Sequence, residues 1–122
     1  MINIDVKYKT QIENIGWLDF VKDGTTSGTE GQSLRLEAFI AELETNEDVQ
    51  LEYQAHCQDI GWQGWVKAGE IAGTVGESRR LEAIQMRLTG NDASKYKINY
   101  RSHVENNAWM DWCCDGESSG TE

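Results

Sequence analysis

Polar and apolar residues alternate strictly in three separate stretches of the chain. One register holds Val6, Tyr8, Thr10 and Ile12, then Leu51, Tyr53, Ala55 and Cys57, then Ile98, Tyr100, Ser102 and Val104. The other holds Lys7, Lys9, Gln11 and Glu13; Glu52, Gln54, His56 and Gln58; Asn99, Arg101, His103 and Glu105. Period two with one wet register predicts a half-buried β-strand. Each of these strands is followed by a short turn signal and a tryptophan: Asn14-Ile15-Gly16-Trp17, Asp59-Ile60-Gly61-Trp62 and Asn106-Asn107-Ala108-Trp109. Asn, Asp and Gly suit a turn or bulge that aims the indole. A second aromatic comes three residues later, at Phe20, Trp65 and Trp112. Trp17 to Val21 and its equivalents predict a short second strand, ended by Gly24, Gly69 and Gly116.

The rest of each unit is punctuated by glycine. Gly28-Thr29, Gly73-Thr74 and Gly120-Thr121 predict turns, and Glu70-Ile71-Ala72 a short third strand. The last segment supports two patterns. Leu36, Phe39, Ile40 and Leu43 have helical spacing, and Ser78 and Gly90 suit helix ends. Phe39, Ala41, Leu43 and Ile84, Met86, Leu88 also alternate, whereas Gln85 interrupts the helical stripe. The alternation survives in both copies, so a strand is expected.

Tyr8, Tyr53 and Tyr100 correspond, standing 45 and 47 residues apart. The chain therefore consists of repeats, 4–49, 50–96 and an incomplete 97–122, in one domain. Repeat three lacks the Arg-Leu-Glu-Ala segment of Arg35-Leu36-Glu37-Ala38 and Arg80-Leu81-Glu82-Ala83. Three readings fit that gap: a longer chain cut here, strand donation between subunits, or a tolerated vacancy, with the first preferred. The expected architecture is all-β and pseudo-threefold, β-prism-like, with a β-trefoil as the alternative.

Charge and composition narrow the function. The net charge of −10 disfavours nucleic acid and anionic membranes. No apolar run approaches the roughly 20 residues of a membrane helix, so membrane insertion is not expected. No basic-then-apolar leader follows Met1. Cys57 stands where the other copies have Ile12 and Val104, and Cys113 where they have Val21 and Val66, so both are expected in the core. Cys114 is expected to face water, and a vicinal Cys113-Cys114 disulfide would be strained.

Tyr53, His56, Gly61-Trp62, Trp65, Gly69, Gly73-Thr74, Gly76 and Arg80-Leu81-Glu82-Ala83-Ile84 together resemble the clostridial hydrophobic-tryptophan repeat, the ChW family. Repeat one departs at Gln11 and Phe20, and repeat three at Ala108. The resemblance covers nearly the whole chain. It implies a secreted or cell-surface bacterial protein and a binding or adhesion role, with carbohydrate as one candidate ligand.

Several residues could carry such a role. Trp17, Trp62 and Trp109, with Asn14, Asp59 and Asn106 three residues before them, offer aromatic faces and hydroxyl-holding groups for a glycan. The competing reading, which the sequence favours, has the Gly-Trp indoles filling a core, with glycine allowing close approach. His56 and His103 occupy the wet register. They lack the spacing of a metal site, and a solvated or cross-strand hydrogen-bonded histidine is the simpler reading. Arg80 with Glu82 reads as a charge pair that bridges to a neighbouring strand. Paired carboxylates suited to glycoside hydrolysis are not in evidence, nor is a phosphate-cradling loop or a nucleophile with its base. No enzyme, cofactor or metal is expected. The expectation is a non-catalytic binding module for a glycan or other cell-surface ligand. The alternative is an assembly module that self-associates through its incomplete third repeat.

Overall fold

A computed structural model describes residues 4–13, 15–22, 36–77 and 79–100, and the short strand pairs 103–104, 108–109, 113–114 and 119–120. The protein is all-β, and its two larger sheets are antiparallel. Repeat one supplies β1 (Ile4–Ile12), β2 (Gly16–Trp17), β3 (Val21–Lys22) and β4 (Leu36–Thr45). Repeat two supplies β5 (Gln50–Cys57), β6 (Gly61–Trp62), β7 (Val66–Lys67), β8 (Ala72–Gly73) and β9 (Leu81–Thr89). A 3-10 turn, Ala93–Lys95, precedes the short strands β10 (Asn99–Tyr100), β11 (His103–Val104), β12 (Ala108–Trp109), β13 (Cys113–Cys114) and β14 (Ser119–Gly120). Among the described residues no helix is long and apolar enough to cross a membrane.

The first alternating segment forms the long strand expected of it, β1 and β5. Its inner register closes the core: Leu51, Tyr53, Ala55 and Cys57 are all buried. The last segment is a strand in both copies, so the alternation and not the helical stripe governs it. β1 pairs with β4 and β5 with β9 over nearly their whole lengths. Pairing as strands buries one apolar face of each segment, which a helix here could not do with Gln85 in its stripe. Each long ladder slips once, between Gln11 and Ile12 and between His56 and Cys57. The skipped residues are Glu37 and Glu82, because Ala38 and Leu36, then Ala83 and Leu81, take the pairings on either side. A bulge at the glutamate re-aims its side chain.

Two expectations about the middle of the repeat are corrected. Trp17 to Val21 is not one strand. It is split into β2 and β3, both pairing with β1, and the second repeat does the same with β6 and β7 on β5. Leu18 N–H still reaches the Thr10 carbonyl at 2.9 Å, so the intervening residues hug the strand without continuing the ladder. The third strand also lies later than expected, at Ala72–Gly73, and it makes Gly73-Thr74 a pairing element and not a turn. Its partner is in the preceding repeat: Ala72 pairs with Phe39 and Gly73 with Ala38 of β4. The same hand-over recurs one repeat on, where Ser119 and Gly120 pair with Ile84 and Ala83 of β9.

Gly73 is required at that crossing. Its φ is +103°, and a Cβ there would sit 2.3 Å from the Glu37 carbonyl oxygen and 2.7 Å from the Ala38 Cα. Thr74 N–H donates to the same Glu37 carbonyl at 3.0 Å, and Gly69 N–H to the Ala41 carbonyl at 2.9 Å. On the other side of the strap the Gln63 amide brackets Gly73, accepting from its N–H at 2.8 Å and donating to its carbonyl at 3.3 Å.

One buried cluster draws on all three repeats: Phe39 and Ala41; Leu51, Tyr53, Ala55, Cys57, Ala72 and Met86; Ile98 and Tyr100. Tyr53 is fully buried and its ring lies 4.8 Å from that of Phe39. Its hydroxyl accepts from Ala41 N–H at 3.1 Å and donates to the Glu70 carbonyl at 2.5 Å. A repeat-two side chain thus completes the backbone bonding of repeat one. Full burial of a side chain such as Leu51 contributes about 1.5–3 kcal/mol. Cys57 is buried as its alignment with Ile12 implied, and burial pushes its thiol pKa up. Cys113 and Cys114 form β13 against Asn99 and Tyr100; their side chains lie outside the described residues.

The connections between repeats are also joined. Asp48 N–H donates to the Asp92 carboxylate at 3.0 Å, and Asp92 N–H returns a bond to the Asp48 carbonyl at 3.0 Å. Tyr96 donates to Glu47 at 3.1 Å. The turn-forming linker after β9 is therefore fastened to the turn after β4.

Candidate functional site on the polar face of the second sheet

The outward register of β5 is Glu52, Gln54 and His56, all half-buried beneath their neighbours. Register on the flanking strands decides what surrounds them. His56 pairs with Trp62, Gln54 with Gln85, and Glu52 with both Arg87 and Lys67. The tight turn before Trp62 is made by Asp59 at φ 66° and Gly61 at φ 86°. That turn brings the indole back across His56, with ring centroids 5.2 Å apart and planes at 81°. His56 Nδ1 lies 3.0 Å from Glu82 Oε1, and Arg80 Nη2 lies 3.1 Å from Glu82 Oε2. The bulge described above turns Glu82 onto this face. Further along, the Gln54 side-chain amide donates to the Gln85 carbonyl oxygen. Arg87 then donates to Glu52 at 2.8 Å and stacks over Trp65, its Cζ 3.9 Å from the ring centroid.

The corresponding face of the first sheet has the same frame. Trp17 pairs with Gln11. Lys9 stands over Trp17 and Phe20, at 5.4 Å and 4.8 Å, and Lys7 over Phe20 at 5.1 Å. Lys7 also bridges Glu42 at 3.4 Å and Glu44 at 3.2 Å, and these carboxylates hold its pKa up.

The expectation that the Gly-Trp indoles fill the core is therefore corrected for Trp17 and Trp62. Both are half-buried, both sit against polar-register side chains, and neither belongs to the buried cluster. Tyr53 and Phe39 hold the core position the indoles were expected to take. Parity explains the difference: a residue cross-strand from His56 must share its face.

The other residues singled out from the sequence are distributed as follows. Asp59 is exposed in the turn, its carboxylate 3.7 Å from Arg79, and its positive φ accounts for an Asx residue there. His103 and Trp109 pair across β11 and β12 in the register of His56 and Trp62, with side chains outside the described residues. Asn14 and Asn106 also lie outside them. His56 is the cross-strand hydrogen-bonded histidine that the simpler reading anticipated, and Arg80 with Glu82 does bridge to a neighbouring strand. Gln85 and Arg87 were not singled out as site residues. Their outward alternation in β9 was visible, but the register bringing them beside Gln54 and Glu52 was not. Among the described residues, no three His, Cys, Asp or Glu side chains gather as metal ligands.

The sequence model of the Clostridial hydrophobic W family, ChW, matches residues 11–44 and 56–90, more than half of the chain. The chain belongs to this family. It is a repeat module of a bacterial protein. No curated protein and no solved structure matches it. Each ChW match opens on the outward residue that pairs with the tryptophan, Gln11 or His56. Each runs through a glycine-rich stretch of sequence to the far end of β4 or β9. The ChW segment thus contains the tryptophan, the bulged glutamate and the strand that receives the next repeat's strap. It omits most of the long strand that carries the core tyrosine.

Proposed function

We propose that this chain is a non-catalytic binding module of a secreted or surface-displayed bacterial protein, and that its ligand is a glycan. The observation that carries this reading is the position of Trp62. It is a half-exposed indole on a polar sheet face, beside His56 and within a row of hydrogen-bonding side chains. Sugar recognition needs that combination of an apolar plane and flanking polar groups. The acidic surface supports a partner other than nucleic acid. The test is a glycan array probed with the labelled chain, beside a Trp62→Ala variant whose fold is checked by circular dichroism. Retention of specific glycans by the parent and their loss in the folded variant is the expected result. An array blank for the parent removes the reading.

The strand hand-over favours a second reading, in which the chain assembles with other copies. β4 and β9 each receive a strap from the following repeat, and the same chemistry is available between chains. Sedimentation over a range of concentration tests it. Dimers or longer species are expected under that reading, and a monomer at all concentrations excludes it.

A further inference from the structure

The polar faces of the two sheets differ in a way that selects a ligand. On the first, the aromatic rings are covered by lysine ammonium groups, and Lys7, Glu42 and Glu44 make the surface ionic. On the second, Arg87 pairs with Glu52 at one end and Arg80 with Glu82 at the other, and the exposed Lys67 stands beside Glu52 at the edge. The groups between them are neutral. The Gln54–Gln85 bond uses one donor and one acceptor, leaving the Gln54 carbonyl oxygen and the Gln85 amide nitrogen for a further partner. A carboxylate only accepts, so the contact with Glu82 needs a proton on Nδ1, and in the neutral ring Nε2 is then the acceptor. A side chain at position 61 would place its Cβ 4.0 Å from Nε2, and Gly61 leaves that side open. Trp62 closes this end of the row.

These groups run along β5 from Glu52 to His56, about 13 Å at the usual rise of a strand. That is longer than a single sugar ring. We propose that this face is the glycan subsite of the chain, and that its ligand is a neutral chain of several sugar units lying along β5. The inference rests on the glycan-binding reading above and adds the sheet, the ligand's charge and its length. Hydroxyls of the ligand donate to His56 Nε2 and the Gln54 carbonyl, the Gln85 amide donates back, and Trp62 supports a ring. An acidic glycan is selected against, because both arginines are already paired, Lys67 stands only at the edge of the row, and the whole chain carries −10.

Titration calorimetry of the whole chain tests this, with cellohexaose, xylohexaose and mannohexaose as neutral probes. Oligogalacturonate serves as the acidic probe and glucose as the short one. A neutral hexaose is expected to bind while glucose and oligogalacturonate do not. Trp62→Ala is expected to weaken binding about tenfold. His56→Gln and Gln85→Ile place in the second sheet the residues the first sheet has at Gln11 and Ile40, so they suit the fold. Each is expected to weaken binding about threefold or more. Trp17→Ala is expected to leave the affinity within about twofold. Hexaose binding that survives the combined His56→Gln and Gln85→Ile changes, or that is lost in Trp17→Ala, overturns the subsite and leaves the glycan reading standing. Equal binding of glucose, or preferred binding of oligogalacturonate, overturns the ligand class. No binding of any probe overturns the glycan reading itself, and the subsite with it.

Discussion

Along β1 the outward side chains are Lys7, Lys9 and Gln11; in the equivalent places along β5 they are Glu52, Gln54 and His56. In both sheets a tryptophan returns across the last of the three, and a second aromatic follows it under a cation. The cation comes from the long first strand in one case, Lys7 and Lys9, and from the last strand in the other, Arg87. Two different solutions to the same cover indicate that covering Phe20 and Trp65 matters to the frame. The position of Trp17 and Trp62 is common, and what surrounds them is not. The contrast separates scaffold from specificity within one molecule. What both sheets keep holds the tryptophan hairpin, and what they change is available to a ligand.

The strap between repeats offers the largest effect by which to break that comparison. Gly73→Ala would drive a methyl group into the Glu37 carbonyl and the Ala38 Cα at a φ of +103°. We expect a loss of about 3 kcal/mol or more. Gly69→Ala, at a similar positive φ but with nothing within 4 Å, should cost only about 1–2 kcal/mol. Chemical denaturation measures both. Hydrogen exchange should also show the Phe39 amide, which faces β8, opening in Gly73→Ala while the β5–β9 ladder holds. Unchanged protection at Phe39 would mean that sheet one does not need repeat two's strand.

Tyr53→Phe comes next. It removes the hydroxyl that receives Ala41 N–H and donates to Glu70, and it leaves those groups buried. The expected loss is about 1–3 kcal/mol. The same change at Tyr8, whose ring is only half-buried, should cost less. Equal losses at the two tyrosines would show that the deeper burial of Tyr53 does not raise the cost of losing its hydroxyl.

How much of this was legible in the chain depends on whether the information is local. The alternation of Leu51, Tyr53, Ala55 and Cys57 specifies a strand and its inner face by itself. So does the alternation of Ile84, Met86 and Leu88, even against the helical spacing of Leu36, Phe39, Ile40 and Leu43. The face of Trp62 is not local. It follows from pairing with His56 after a turn in which Asp59 and Gly61 both take positive φ, and a glycine before a tryptophan reads equally well as a close core approach. The role of Gly73 is less local still, because its partner lies some 35 residues back, in another repeat. The bulge at Glu82 combines both difficulties: the Arg-Leu-Glu-Ala motif is plain, yet the slip that aims the carboxylate at His56 exists only in the paired ladder.

Removing the cations tests whether the aromatic covers are equivalent. Arg87→Ala loses the stack at 3.9 Å on Trp65 and the bond to Glu52, and should cost about 0.5–1 kcal/mol at this exposed site. Lys9→Ala, with its longer contacts to Trp17 and Phe20, should cost about 0.5 kcal/mol or less. Thermal unfolding followed by tryptophan fluorescence reports both. A larger loss from Lys9→Ala would reverse the ranking of the two covers.

The smallest effect is expected in acid, where the linker behind the second sheet is held to the turn behind the first. The Asp48 backbone N–H, and then Lys95, keep the Asp92 carboxyl below its usual value of 3.8. A carboxyl lowered in the folded state stabilises the fold fully above its unfolded value, and that contribution is lost as the pH falls through the lowered value. The fastening should therefore hold at neutral pH and weaken only below about pH 3.8. Asp92→Asn removes the titrating group, so its stability should follow a flatter course across that acid range than the parent's. Carboxyl chemical shifts of Asp92 give the midpoint directly, and exchange of the Asp48 amide gives the opening. A midpoint at or above the usual value would show that the Asp48 bond does not hold in solution. The two sheets would then be joined by their straps and core, with no contribution from the linkers behind them.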